Sequence, residues 1–161
     1  MERQSTRTNQ RPSGAWRSNE AAVQDLRKRI DRSQADQIVA RAAFLPHPDR
    51  VLIEAYFLHG RTVKDIALGS ETQTRRVSRR LRRLALRVLS DRFTFVLQRM
   101  DSWTPSRRKV AAAMMLGGKS MREAAETLHM TLYSVRRHHD AICAQLEMES
   151  DRRPATGRAH R

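Results

Sequence analysis

The chain has 161 residues, of which 39% are hydrophobic and only 5% aromatic, and 32 Lys and Arg against 17 Asp and Glu leave a formal net charge of +15. A chain so short and so poor in aromatics supports one or two small helical units with thin cores, and a long sandwich or barrel is not expected. Charge of this size draws a protein to phosphate polymers, because each neutralised phosphate releases condensed counterions. A single cysteine, Cys143, leaves no intramolecular disulfide framework and fits a reducing compartment. No apolar run approaches the roughly 18 residues of a membrane span. No hydrophobic segment follows the basic N-terminal residues, so a secretory signal is not expected.

Residues 1–17 form a basic tail rich in Arg, Ser, Thr, Asn and Gln, with Trp16 its only large apolar side chain. Such a segment is expected to be disordered, and its chemistry also suits a basic arm lying along phosphates or entering a minor groove. Across 18–45 the spacing predicts two short amphipathic helices, one with a stripe of Ala22, Val23, Leu26 and Ile30, the other with Ala35, Ile38, Val39 and Ala42. Ser33 and Asp36 stand at capping-box spacing, and Pro46 and Pro48 are expected to stop the second helix. These helices either pack on the next unit or pair with another copy of the chain.

A first helix-turn-helix unit is predicted over 46–89. Its turn is Leu68-Gly-Ser-Glu-Thr72, and Thr72 is placed to cap a helix carrying Arg75, Arg76, Arg79, Arg80, Arg82, Arg83 and Arg87. Val77, Leu81, Leu84 and Val88 recur on the opposite side at helical spacing. Across 90–103, Ser90 caps a short packing connector with Phe93, Val96, Leu97 and Met100 on one face, and Trp103 reads as a core anchor. The second unit spans 104–146. Thr104 is expected to cap its first helix, and Pro105 takes the first helical position, where a missing N–H costs nothing.

Ser120 and Glu123 form the next capping box, and small Ala124 and Ala125 let another helix cross closely. That helix starts after Thr131, with Val135, Ile142 and Leu146 turned inward and Tyr133, Arg136, Arg137 and Asp140 turned outward. From Glu147 to the end, acids mixed with Arg152, Arg153, Pro154 and Gly157 predict a disordered tail.

The two units repeat each other. Arg50, Ala55, Leu58, Gly60, Ala67 and Val77 match Arg108, Ala113, Leu116, Gly118, Ala125 and Val135 at a constant offset of about 58 residues. Thr62 and Asp65 likewise fall on Ser120 and Glu123, and Lys64 on Arg122. The expected fold is therefore all-α: two tandem helix-turn-helix units of three to four helices, joined by a short helix and flanked by flexible basic termini.

Thr104-Pro105, Gly117-Gly118, Ser120 to Ala125, and Val135-Arg-Arg-His138 with Ile142 and Leu146 resemble the DNA-binding domain of LuxR-type response regulators. They are also similar to the fourth conserved region of bacterial sigma factors, and Val77-Ser-Arg-Arg-Leu-Arg-Arg resembles the recognition helix of that region. The match covers about forty residues and carries no catalytic signature. His129 stands where these families usually have glycine or another small turn residue, and Asp140 adds a negative charge to the presumed reading face. In the first unit the turn glycine comes two places early and Glu71 takes its position, so a distorted turn is expected.

The resemblance implies double-stranded DNA as partner, RNA polymerase as a further one, and a place at the bacterial nucleoid in the cytoplasm. A homodimer is compatible with it. The DNA contacts it implies are Arg75, Ser78, Arg79, Arg82, Thr131, Tyr133, Arg136 and Arg137, because arginine donates to guanine at two atoms or holds phosphate. Two alternatives stand beside a sequence-specific regulator: a sigma-like adaptor that contacts the polymerase, and a basic protein that binds nucleic acid without sequence preference. A complete sigma factor is not expected, since the roughly 45 residues before the first unit lack the aromatic-rich helical region that family uses to open promoters. Phosphorylation control within this chain is not expected either, because no receiver domain precedes the second unit.

His139 and Cys143, one turn apart beside His138, make a weak metal pair with no further ligands placed to complete a set, so no metal or other cofactor is expected. No glycine-rich phosphate loop, paired acids in an apolar setting or nucleophile elbow is visible, and an enzyme has no residues to assign.

Overall fold

A computed structural model describes residues 26, 27 and 30–152. The basic tail over 1–17, Ala22 and Val23 of the first predicted stripe, and the chain from 153 lie outside the described residues. The elements are α1 (Arg32–Ala42), α2 (His47–Ile53) running into a π-helical turn (Glu54–Leu58), α3 (Val63–Gly69), α4 (Thr74–Val88) and α5 (Asp91–Arg99). A 3-10 turn (Met100–Ser102) leads to α6 (Pro105–Ala111) and its π-helical turn (Ala112–Leu116), then α7 (Met121–Leu128) and α8 (Leu132–Arg152). The protein is all-α, with no strand among the described residues.

The offset of 58 residues runs through the backbone itself. Both π-helical turns obey it, and so do the two left-handed glycines that follow them, Gly60 at φ 67° and Gly118 at φ 69°. Arg61 N–H donates to Ala55 O at 3.0 Å, and Lys119 N–H to Ala113 O at the same distance. Between α3 and α4 the turn is closed by Thr72 N–H to Ala67 O at 2.9 Å, and between α7 and α8 by Met130 N–H to Ala125 O at 3.0 Å. Glu71 and His129, at φ 49° and 52°, take the same left-handed position. The first turn is therefore not distorted: it adopts the geometry of the second without a glycine, at a cost of about 1–2 kcal/mol for each L side chain held there. Gly69 is simply the last residue of α3.

The repeat also begins earlier than side-chain matching places it. Ile38 of α1 and Val96 of α5 are both fully buried and stand 58 residues apart. At the ends of these segments, Leu45 N–H donates to Ala42 O and Trp103 N–H to Met100 O, and Leu45 and Trp103 are both buried. The segment over 90–103 is thus more than a connector: α5 occupies the position in the second half that α1 occupies in the first. Along these two segments only Arg41 and Arg99 are identical, so side-chain identity does not reveal the correspondence.

Several predicted caps moved. α1 is capped by Asp31, whose Oδ1 accepts from Gln34 N–H at 2.7 Å while Gln34 Oε1 accepts from Asp31 N–H. The helix starts before Ser33, so Ser33 and Asp36 lie inside it. Pro46 and Pro48 open α2, at its N-cap and first turn, whereas α1 has already ended at Ala42. Gln73, not Thr72, holds the N-cap position of α4 and makes no side-chain cap, and the Thr72 hydroxyl donates to Ser70 O at 3.0 Å. Thr104 holds the N-cap position of α6 but its hydroxyl makes no capping bond. Ser90 and Thr131 cap as expected, accepting from Phe93 and Ser134 N–H at 3.2 Å each. The tail expected from Glu147 is helical to Arg152, since Ala144 to Glu149 are strong helix formers and Arg99 Nη2 donates to Glu149 Oε2 at 2.9 Å.

One apolar cluster spans both halves. Ile38, Ile53, Leu84 and Val88 meet Phe93, Val96, Ala111, Leu116 and Ile142 within it, while Val110, Ala124 and Val135 form a small second cluster. α5 packs against α4 and against the second π-helical turn, and so buries Phe95 as well as Phe93 and Val96. Phe95 lies off the predicted stripe and stacks at a tilt against Trp103, ring centroids 5.9 Å apart. Polar ties reinforce this packing: Arg41 Nη1 donates to Val88 O at 2.8 Å, and Arg87 Nη1 to Gly117 O at 3.1 Å.

Val135→Ala should cost about 1–3 kcal/mol in thermal unfolding, because it removes apolar volume from the smaller cluster; an unchanged melting curve would show that α8 is not packed there. Gly118→Ala should destabilise more than Gly60→Ala. Both force alanine into the left-handed region, but a Cβ on Gly118 falls 2.2 Å from the Arg87 guanidinium, whereas one on Gly60 meets nothing within 4 Å. In an Arg87→Ala background the two substitutions should cost the same, which a four-variant unfolding cycle measures.

Candidate nucleic-acid interface

Each half presents one helix whose buried side is fixed by the core and whose other side is left over. In α4, Val77, Leu81, Leu84, Ala85 and Val88 face inward. Helical spacing then forces Arg75, Arg79 and Arg83 outward along one row, with Arg76 and Arg82 to either side, and all five are exposed. Ser78 sits at the edge of this face and is half-buried.

Two further arginines of α4 tie it to other segments. Arg80 Nε donates to Asp49 Oδ1 at 2.8 Å, fastening α4 to α2, and Arg87 reaches the second half. A helix that reads as uniformly basic in the sequence thus uses Arg80 and Arg87 to hold the fold together. Arg83, one turn beyond Arg79, belongs with the candidate contacts although it is absent from the set implied by resemblance; the i, i+4, i+8 spacing from Arg75 was the signal.

In α8 the inward positions are Val135 and Ile142, both fully buried, and half-buried Leu146. Tyr133, 76% exposed, stands with Arg136, Arg137 and Asp140 on the outer side. Thr131 is exposed, and its Oγ1 accepts from Ser134 N–H, which leaves its O–H and a second lone pair to offer. The offset pairs Arg75 with Tyr133, Ser78 with Arg136, Arg79 with Arg137 and Arg82 with Asp140. Seven of the eight predicted contacts therefore lie exposed at the start or on the outer side of the second helix of a pair, and the eighth, Ser78, lies half-buried at the edge.

The preceding helices fix the entry angle. Thr62 and Asp65 form a reciprocal capping box at the start of α3, and Ser120 and Glu123 at the start of α7. Small Ala67 and Ala124, both buried, permit the close approach of α3 to α4 and of α7 to α8. Hydrogen bonds from the Thr62 hydroxyl and N–H hold the Asp65 carboxyl below its ordinary value. The Ser120 N–H and hydroxyl do the same for Glu123.

His139 and Cys143 lie side by side, Nε2 to Sγ 3.7 Å, and Asp140 Oδ1 is 3.3 Å from His139 Nδ1. Among the described residues no three His, Cys, Asp or Glu side chains converge on a point where a metal ion would sit. No helix among them is long and apolar enough to cross a membrane.

No family model, curated protein or solved structure matches the chain. The functional reading accordingly rests on the repeated geometry and its charge.

Because both box carboxyls are lowered in the folded state, their contribution to stability is complete above the ordinary carboxylate range, about pH 4–5, and is lost as pH falls through their folded values. Melting temperature should therefore decline on acidification below about pH 5. Glu123→Gln, which keeps an acceptor at the same place but does not titrate, should make that decline shallower; an identical pH profile would remove Glu123 from the cap.

Proposed function

We propose that the protein is a sequence-specific, double-stranded-DNA-binding transcriptional regulator. Its two tandem helix-turn-helix units, over 46–89 and 104–146, dock α4 and α8 against the duplex. The observation that carries this reading is the repeated backbone: two helix pairs with the same left-handed turn, each with an exposed, cation-bearing face on the second helix. A major groove admits one helix, and its base edges offer acceptors to arginine and both donors and acceptors to tyrosine and serine hydroxyls. The net charge of +15 supplies affinity for the backbone without regard to sequence. The similarity to LuxR-type and sigma region-four domains agrees with this assignment and would place the protein at the bacterial nucleoid.

A second reading is favoured by a separate observation. Leu68 and Leu86, 83% and 67% exposed, are large apolar side chains on the exterior of the first unit that form no hydrogen bond to phosphate or base. They suit a sigma-like adaptor that uses a helix-turn-helix unit for contact with RNA polymerase.

Selection of binding sites from a random duplex library at two salt concentrations, with single-stranded RNA in parallel, separates these readings. An enriched duplex motif supports the regulator. Strong binding with no motif, lost steeply as salt rises, supports a nonspecific basic protein; no binding to either nucleic acid supports the adaptor. Arg137→Ala should weaken the selected site by about 1–3 kcal/mol and random duplex by less. Equal losses on both would remove Arg137 from the base-reading set.

A further inference from the structure

We infer that the two outer faces divide the task of DNA recognition: α4 holds phosphates whatever the sequence, and α8 discriminates bases, with Asp140 selecting a cytosine. This inference rests on the DNA-binding reading above and deepens it.

The repeat supplies a controlled comparison, since the two faces share one backbone frame and differ only in side chains. α4 contains no acidic residue from Thr74 to Val88. Its exposed row of Arg75, Arg79 and Arg83 extends over about 12 Å at the helical rise, which matches the axial extent of three or four phosphates of one strand at about 3.4 Å of duplex axis per charge. The row ends in Leu86, an exposed apolar tip that can neither donate to nor accept from a base edge. Such a face is rich in charge and poor in hydrogen-bonding variety, which is the chemistry of backbone contact.

α8 has the opposite character. The position equivalent to Arg82 is Asp140, so the charge reverses at the same place in the frame. Its side chain is 64% exposed and one turn beyond Arg136 and Arg137. An ionised carboxylate on that face is repelled by phosphates and offers only acceptors. In the major groove the donors are the amino groups of cytosine and adenine, and carboxylates pair with the N4 amino group of cytosine. One turn earlier, Arg136 and Arg137 offer the donors that guanine O6 and N7 accept, and Tyr133 adds a hydroxyl. Donors and an acceptor one helical turn apart suit a short G- and C-containing step and have no use on a uniform row of phosphates.

The test compares the full chain with Arg75→Ala/Arg79→Ala/Arg83→Ala and with Asp140→Asn, all checked for unchanged melting, on the selected site and on random duplex over a salt series. The triple variant should lose affinity for both duplexes in the same proportion and keep its motif. Its plot of log affinity against log salt should be shallower by about 2–3 units, at about 0.9 for each phosphate no longer neutralised. Asp140→Asn should bind random duplex at least as well as the parent and lose about five-fold or more of its discrimination at one cytosine position. A triple variant with a changed motif, or an Asp140→Asn variant with the parent's preference at every position, would overturn the division and leave the DNA-binding reading intact. A parent chain that selects no duplex motif would overturn that reading, and this inference with it.

Discussion

The packing of α5 between α4 and the second π-helical turn is the contact on which the rest of the structure depends. The second half's private cluster amounts to Val110, Ala124 and Val135 with partly buried neighbours. By burying Phe93, Phe95 and Val96, α5 merges the remainder into one cluster that reaches from Ile38 to Ile142. Thin units gain most from such merging, because the fraction of surface removed from water rises with size. Arg87 then fastens the end of α4 to Leu116-Gly117-Gly118, and glycine at 118 is what leaves room for its guanidinium.

Upon that shared core, the same short device is used twice. A capping box starts α3 and α7, a left-handed residue ends the turn that follows, and the next helix leaves in a direction set by backbone hydrogen bonds. Glu71 and His129 hold a conformation that favours glycine, so the turn geometry is imposed by the bonds around it, Thr72 to Ala67 and Met130 to Ala125, more than by local preference. With the frame fixed in this way, the outer faces of α4 and α8 are free to differ in chemistry. That freedom lets one backbone plan carry a row of arginines on α4 and a mixed set of donors and an acceptor on α8.

The all-helical fold, the inward stripes of α4 and α8, the burial of Trp103 and the outward sets around Arg79 and Arg137 were legible in the sequence, because helical spacing alone assigns each residue to a side. The 58-residue repeat was legible from Arg50 onward, where Gly60/Gly118 and Val77/Val135 sit at backbone positions that tolerate few substitutions. Across 32–45 and 90–103 it was not, since burial constrains only size and polarity there, and Ile38/Val96 and Leu45/Trp103 satisfy that constraint without resembling each other. Caps were the least legible. Ser33, Thr72 and Thr104 all have the right chemistry, but Ser33 and Thr72 do not fall at the N-cap position and the Thr104 hydroxyl makes no capping bond there.

The sequence by itself determined which residues are apolar at which helical phase, and hence the side each of α4 and α8 buries and the sign of the charge left outside. Only the tertiary structure decided which arginines of α4 remain outside, since Arg80 and Arg87 are chemically the same as Arg79 and Arg83 until Asp49 and the Gly117 carbonyl are brought beside them. It also decided that α5 is buried on more than one face and that the helix after Leu146 continues to Arg152. The physical reason is common to these cases: periodicity is a local property of the chain, whereas the partners that neutralise a charge, cover a second face or hold a helix end come from segments distant in sequence.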